Sequence, residues 1–131
     1  LKEVPIDAWE VVEVGTLDQR ELANHFSQMD VFISLSTQEA FGKVTLEAIL
    51  GGCQAIAFEG TGAEDIITES NGMIVRSKDV RAIREALEKM NIKRGELRSN
   101  RLKVSQEAQI KFDLDKVTSM YTDFYEQVLY K

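Results

Sequence analysis

Short apolar runs alternate along the chain with longer stretches in which apolar residues recur every three or four positions. Trp9 to Val14 has the character of a strand ending at Gly15. Asp18 follows, with Glu21 three residues on, the capping-box pattern of a helix start. Leu22, Ala23, Phe26 and Met29 give that helix its apolar stripe. Val31 to Leu35 predicts a compact β-branched strand, and Gly42 to Leu50 a helix that stops at Gly51 and Gly52. Gln54 to Phe58 is apolar almost without alternation, as a strand covered on both faces should be. A Gly-rich turn over Gly60, Thr61 and Gly62 precedes a short helical turn near Asp65 to Thr68. Asn71 and Gly72 mark a turn into a last strand, Met73 to Val75. Three helices close the chain: Asp79 to Met90, a charged one from about Lys93 to Glu107, and Leu114 to Leu129.

Strands that alternate with helices imply an α/β domain with a doubly wound parallel sheet. No repeat, linker or low-complexity segment divides residues 1–131, so they read as a single domain. Such sheets bind ligands beyond the carboxyl ends of their strands, where a turn leads into a helix. Three turns qualify: Gly15 to Asp18, Ser36 to Lys43, and Glu59 to Asp65.

Composition narrows the class. A hydrophobic content of 44% with 29% charged residues is that of a globular protein rather than a disordered one. The net charge of −6 argues against nucleic-acid backbones and anionic lipid as partners. A single cysteine, Cys53, permits no internal disulfide, the pattern of a reducing compartment. No apolar run approaches the roughly 18 residues of a membrane span, and Leu1 to Val14 lacks a signal-peptide layout. The expectation is a cytoplasmic protein without a transmembrane segment.

Two carboxylates stand out. Glu47 is the only charge between Lys43 and Glu59, and Glu39 precedes it by eight positions. An unpaired carboxylate in an apolar setting must protonate or find donors. Lys43, one turn before Glu47, could pair with it; alternatively Glu47 accepts hydrogen bonds from the hydroxyls of a ligand such as a ribose. Glu39 could be a solvated loop residue or one held near a helix start by the dipole. The backbone from Ala40 to Val44 would point free N–H groups beyond that start, an arrangement suited to phosphate or sugar oxygens. On one helix, eight residues would span about 12 Å. Glycosidase carboxylate pairs stand about 5–9.5 Å apart, so the spacing suits two contacts along one elongated ligand, and a sugar nucleotide is such a ligand.

The segments VEVGTLDQREL, MDVFISLS, QEAFGKVTLEAILGG, QAIAF, GTGAEDI and NGMIV occur in the order, and with the flanks, of the retaining GT-B glycosyltransferases of family 4. The central piece resembles their E-x7-E signature, written E-x-F-G-x-x-x-x-E-A. The closing FDLDKVTSMYTDFY is similar to the family's terminal helix. The resemblance covers roughly residues 10 to 130. It implies the Rossmann-like, donor-binding C-terminal half of a GT-B fold, truncated on its N-terminal side, without its acceptor-binding domain. It further implies a nucleotide-sugar donor, a UDP-sugar first and a GDP-sugar second. The sugar would pass to an acceptor hydroxyl with retention, without metal or cofactor. Glu39 would contact the transferred sugar and serve as the catalytic carboxylate. Ala40, Phe41, Gly42 and Lys43 would face sugar and diphosphate, and Glu47 would hold the ribose hydroxyls. Gly15, Thr16 and Leu17 would border the base, and Gly62 stands where the family has one glycine of a pair.

The chain also departs from the family pattern. Gln54 replaces a proline, Thr61 replaces the other glycine of the pair, and Asp65 stands near a usual Glu. The family's diphosphate-neutralising Arg and Lys are not found in this chain. The fragment alone is therefore expected to bind donor weakly and to be inactive. The missing domain could bring the protein to the inner face of a membrane. Two other classes remain open: a non-catalytic nucleotide-fold interaction module and a sugar-nucleotide epimerase-like domain.

Other features have structural explanations. Asp113 and Asp115 form a D-x-D, read as a helix cap and a first-turn acid. His25 has no partner at ligand spacing, and Cys53 reads as a buried small hydrophobe. Lys93, Arg94, Arg98, Arg101 and Lys103 read as a solvated helix face. The aromatic stripe of the last helix, Tyr121, Phe124, Tyr125, Val128 and Leu129, reads as core packing. By resemblance, that helix would instead cross to the absent domain, leaving a face on which two copies could dimerise.

Overall fold

The computed structural model describes Glu10 and residues 12–130. The strand expected over Trp9 to Val14 lies partly outside them; Val12 to Val14 are irregular. Three parallel strands, β1 (Val31–Ser34), β2 (Gln54–Phe58) and β3 (Gly72–Val75), pair in the order β1-β2-β3. Ile33 lies opposite Ile56, and Ile56 opposite Met73. Every residue of β2 is buried, because helices cover both faces of the sheet. This is the physical reason for its near-continuous apolar run.

The side-chain alternation of β2 assigns the two faces. Ala55 and Ala57 pack with Ile49 of α2 (Lys43–Leu50), with Ile66 and Ile67, and with Val104 and Ala108 of α5 (Arg101–Lys111). Ile56 and Phe58 face the other way, onto Ala86 and Met90 of α3 (Val80–Ile92). The doubly wound α/β expectation therefore holds. A smaller cluster of Phe26, Ala48 and Cys53 seats α1 (Gln19–Gln28) on α2. The helix starts are those the sequence announces. Asp18 accepts from the Glu21 amide at 2.8 Å while Glu21 accepts from the Asp18 amide at 2.9 Å. Asp79 caps α3, and Asp113 caps α6 (Leu114–Leu129) by accepting from the Lys116 amide at 2.9 Å. The D-x-D is thus a helix start, and Cys53 is buried as expected.

Four expectations need correction. The charged helix from about Lys93 to Glu107 is two helices, α4 (Arg94–Ser99) and α5, which meet at Asn100. The short helical turn lies earlier, as a 3-10 turn over Gly62–Asp65. The stripe of α6 is not core, for none of its residues is buried by the described chain; Phe124, Tyr125 and Leu129 are all exposed.

The basic cluster is not simply a solvated face. Arg94 and Arg98 each donate through Nε to the Asp30 carboxylate, at 2.9 and 3.1 Å. Partial burial pushes the Asp30 carboxyl up, but the hydrogen bonds and charges of Arg98 and Arg94 outweigh it and hold the group below the usual carboxylate range. Arg101 donates to the carbonyls of Phe26 (2.9 Å), Ser27 (2.7 Å), Met29 and Gly51 (3.1 Å). These are carbonyls at the carboxyl ends of α1 and α2, where helices leave acceptors unpaired.

Candidate functional site

Because all three strands are parallel, their carboxyl ends form one rim, and the loop from Leu35 to Gly42 rises from it directly after β1. Two glycines fix this loop. Gly42 occupies the left-handed region (φ 89°) and is the N-cap of α2, with no side chain among the described residues capping the first-turn amides. Those amides remain free donors at the positive end of the helix. Gly62 presses on the loop from the next turn. Its amide donates to the Glu39 carbonyl at 2.7 Å, and a Cβ there would stand 2.6 Å from Phe41 Cα and closer still to the Ala40 carbonyl.

The Glu39 carboxylate folds back to accept from the Gly42 amide at 3.2 Å, and Glu39 is only partly exposed. Phe41, half exposed, meets Phe112 edge-on with ring centroids 6.2 Å apart. Glu39, Ala40, Phe41, Gly42 and Gly62 thus form one stitched unit, with Lys43 as the first residue of the helix it starts.

Glu47 lies one turn further on. Its carboxylate stands 3.8 Å from Lys43 Nζ, and its side chain retains 32% exposure. The lone charge of α2 is therefore not buried, because the buried face of the helix runs through Thr45, Ala48 and Ile49. The ion pair with Lys43 forms, but between partners this exposed it is weak and leaves the carboxylate available. Glu47 faces a groove of about 370 Å³ between α1 and α2, shared with Gln19, Leu22, Ala23 and Leu50. Gln19 opens α1, with only the N-cap Asp18 between it and Gly15, Thr16 and Leu17, so the groove leads from Glu47 toward that turn. Gly15 and Thr16 are themselves exposed, Leu17 is half buried, and Gly15 has open space around it. Among the described residues no hydrogen bond or ion pair joins these three to the Glu39 loop.

A larger cavity of about 490 Å³ opens at the amino ends of β2 and β3, beside Gln54, Gly72, Lys93 and Lys103. It lies at the opposite end of the strands from the glycine-held loop, and acidic and basic side chains alternate around it. Its size alone does not make it the site.

Two residues, one beside the loop and one at the far end of its helix, carried no sequence signal. Lys111 Nζ reaches the Asp65 carbonyl at 3.0 Å and lies 5.2 Å from the Phe112 ring centroid, bringing a cation near Phe41. Arg101 gathers the far ends of the two helices that frame the groove. Only contacts between residues distant in sequence reveal either.

A parallel α/β sheet with a glycine-held loop and an uncapped helix start at its carboxyl rim has the form in which open α/β domains hold ligands. The profile of the glycosyl transferases group 1 family matches residues 10–109, and the chain belongs to that family. An uncharacterized 41.2 kDa protein in the cps region of Klebsiella pneumoniae is 32% identical over 88 residues, which cover 66% of this chain and 25% of that protein. An alpha-1,6-glucosyltransferase of Actinobacillus pleuropneumoniae serotype 7 (strain AP76) is 39% identical over 49 residues, 37% of this chain and 15% of that one. The sucrose-phosphate synthase of Thermosynechococcus elongatus superimposes with a TM-score of 0.75 at 25% identity, covering 89% of this chain and 30% of that structure. The architecture is that of the Rossmann-like half of a GT-B fold. The chain spans a quarter or less of the two curated relatives and under a third of the structural one. Among the described residues no helix is long and apolar enough to cross a membrane.

Proposed function

We propose that this chain binds the nucleotide-sugar donor of a retaining glycosyltransferase of the E-x7-E type, family 4. The observation that carries the reading is the loop itself: Glu39 is held by Gly42 and Gly62 at the rim, and Glu47 lies on the helix that the loop starts. In this reading Glu39 accepts hydrogen bonds from hydroxyls of the transferred sugar. The amides that follow Gly42 take the diphosphate, and Glu47 takes the ribose hydroxyls. Gly15, Thr16 and Leu17 border the base at the mouth of the groove, a UDP-sugar being the first candidate and a GDP-sugar the second.

The reaction forms a bond from an acceptor oxygen to the sugar C1 and breaks the bond from C1 to the diphosphate, with retention of configuration. The acceptor proton leaves with the nucleoside diphosphate. Developing charge on the leaving diphosphate is met by fixed amide dipoles and basic side chains, without a metal or cofactor. The acceptor-binding domain and the diphosphate-neutralising Arg and Lys belong, in this reading, to chain beyond these 131 residues, and the protein works in the cytoplasm.

Isothermal titration with UDP-glucose and GDP-mannose tests the reading, with Glu47→Gln as comparison. Binding of one donor, weakened at least tenfold by the substitution, supports it. Binding that Glu47→Gln leaves unchanged refutes the ribose role.

A further inference from the structure

α1 and α2 both start near the rim, and each carries one part of the proposed donor site. The turn of Gly15, Thr16 and Leu17 precedes α1, and the loop of Glu39 to Gly42 precedes α2. Their opposite ends are gathered by α5. Arg101 donates to carbonyls of Phe26, Ser27, Met29 and Gly51 at once, and the Ser105 hydroxyl donates to the Leu50 carbonyl at 2.6 Å. The helices approach so closely there that a Cβ on Gly51 would lie 2.7 Å from Phe26 Cβ. A Cβ on Gly52 would lie 3.1 Å from the Arg101 carbonyl. A planar guanidinium can bridge several acceptors in fixed directions, which an ammonium cannot do.

We propose that Arg101 is a positioning residue for the donor: by tying the carboxyl ends of α1 and α2 together, it sets the spacing between the base-side turn and the sugar-side loop. The inference rests on the donor-binding reading above. Leverage makes the effect large. The ten residues of α1 span about 15 Å, so a tilt of about 4° about the Arg101 end moves the turn by about 1 Å. A ligand that touches both loops feels that change, whereas a ligand that touches only one does not.

The test compares a whole donor with its parts on the complete natural chain. UDP-glucose, uridine and glucose 1-phosphate are each titrated against wild type, Arg101→Lys and Met90→Ala. Met90 is buried under the other face of the sheet, so its truncation controls for lost stability. Arg101→Lys is expected to weaken UDP-glucose at least tenfold while uridine and glucose 1-phosphate change by less than twofold. Met90→Ala is expected to keep the wild-type ratio of whole to parts. Equal losses for all three ligands in Arg101→Lys, or no loss for any, overturn the positioning role and leave the donor reading intact. Where wild type takes GDP-mannose instead, that donor, guanosine and mannose 1-phosphate replace the three with the same expected ratios; wild type that binds neither donor overturns the donor reading itself, and the inference with it. If Arg101→Lys does not fold, Ser105→Ala removes one bond from the same helix end and is expected to show the same pattern at smaller amplitude. An unchanged ratio in that variant overturns the inference.

Discussion

Gly62→Ala separates the glycine that holds the loop from glycines that merely turn the chain. The added Cβ would sit 2.6 Å from Phe41 Cα and closer to the Ala40 carbonyl. Carbon atoms rest about 3.5–4.0 Å apart, so the backbone of the Glu39 loop must retreat by about 1 Å. Forcing a methyl into packed structure costs about 1–3 kcal/mol. The same retreat stretches the 2.7 Å bond from the Gly62 amide to the Glu39 carbonyl, adding about 1 kcal/mol. The expected loss is about 2–4 kcal/mol, against about 5–15 kcal/mol for a typical domain, so the fold survives.

Gly60→Ala is the control. Gly60 has φ 74° with nothing near a Cβ, so its cost is backbone conformation alone, about 1–2 kcal/mol. Urea unfolding at constant slope measures both losses, and amide shifts of Ala40 to Lys43 report the loop. A loss no larger for Gly62→Ala than for Gly60→Ala, or loop amides that do not move, would refute the reasoning.

Other expectations follow from the same contacts. Asp30→Asn removes the charge and one of the two acceptor oxygens that face Arg94 and Arg98 and should cost about 1 kcal/mol at pH 7, since both arginines are largely exposed. The folded carboxyl is held below its ordinary value, so this stabilisation is full above about pH 4 and is lost as pH falls through the folded value. The urea-stability gap between wild type and variant should therefore close as pH falls through the folded value, and a gap independent of pH would contradict the ion pair. Asp18→Ala opens the capping box and should cost about 1 kcal/mol by urea unfolding. Glu47→Gln should cost less than about 0.5 kcal/mol, because its pair with Lys43 is exposed; a larger loss would make Glu47 a structural residue.

Much of this architecture is legible from local rules. β2 declares itself by an apolar run that only a doubly covered strand needs, and Asp18, Asp79 and Asp113 announce three helix starts by short-range capping. The α4–α5 break is not legible, for it falls at Asn100 (φ −93°, ψ 0°), whereas the one glycine of that stretch, Gly95, lies inside α4. Arg101 was hidden for a different reason. Its acceptors are backbone carbonyls 50 to 75 positions away, and a carbonyl leaves no trace in residue identity. The 3-10 turn starts earlier than expected because Gly62 must press against Ala40, a contact between loops. The stripe of α6 has the period of a core helix, yet periodicity says that a face needs cover without saying what covers it.

Amide shift mapping of the labelled protein during titration with UDP-glucose and GDP-mannose tests the central claim most directly. The account expects one nucleotide sugar to shift Gly15 to Leu17 and Glu39 to Glu47 together, with Gly62 following through its bond to the Glu39 carbonyl. Shifts confined to the cavity beside Lys93 and Lys103 at the opposite end of the strands, or at neither place, would contradict it.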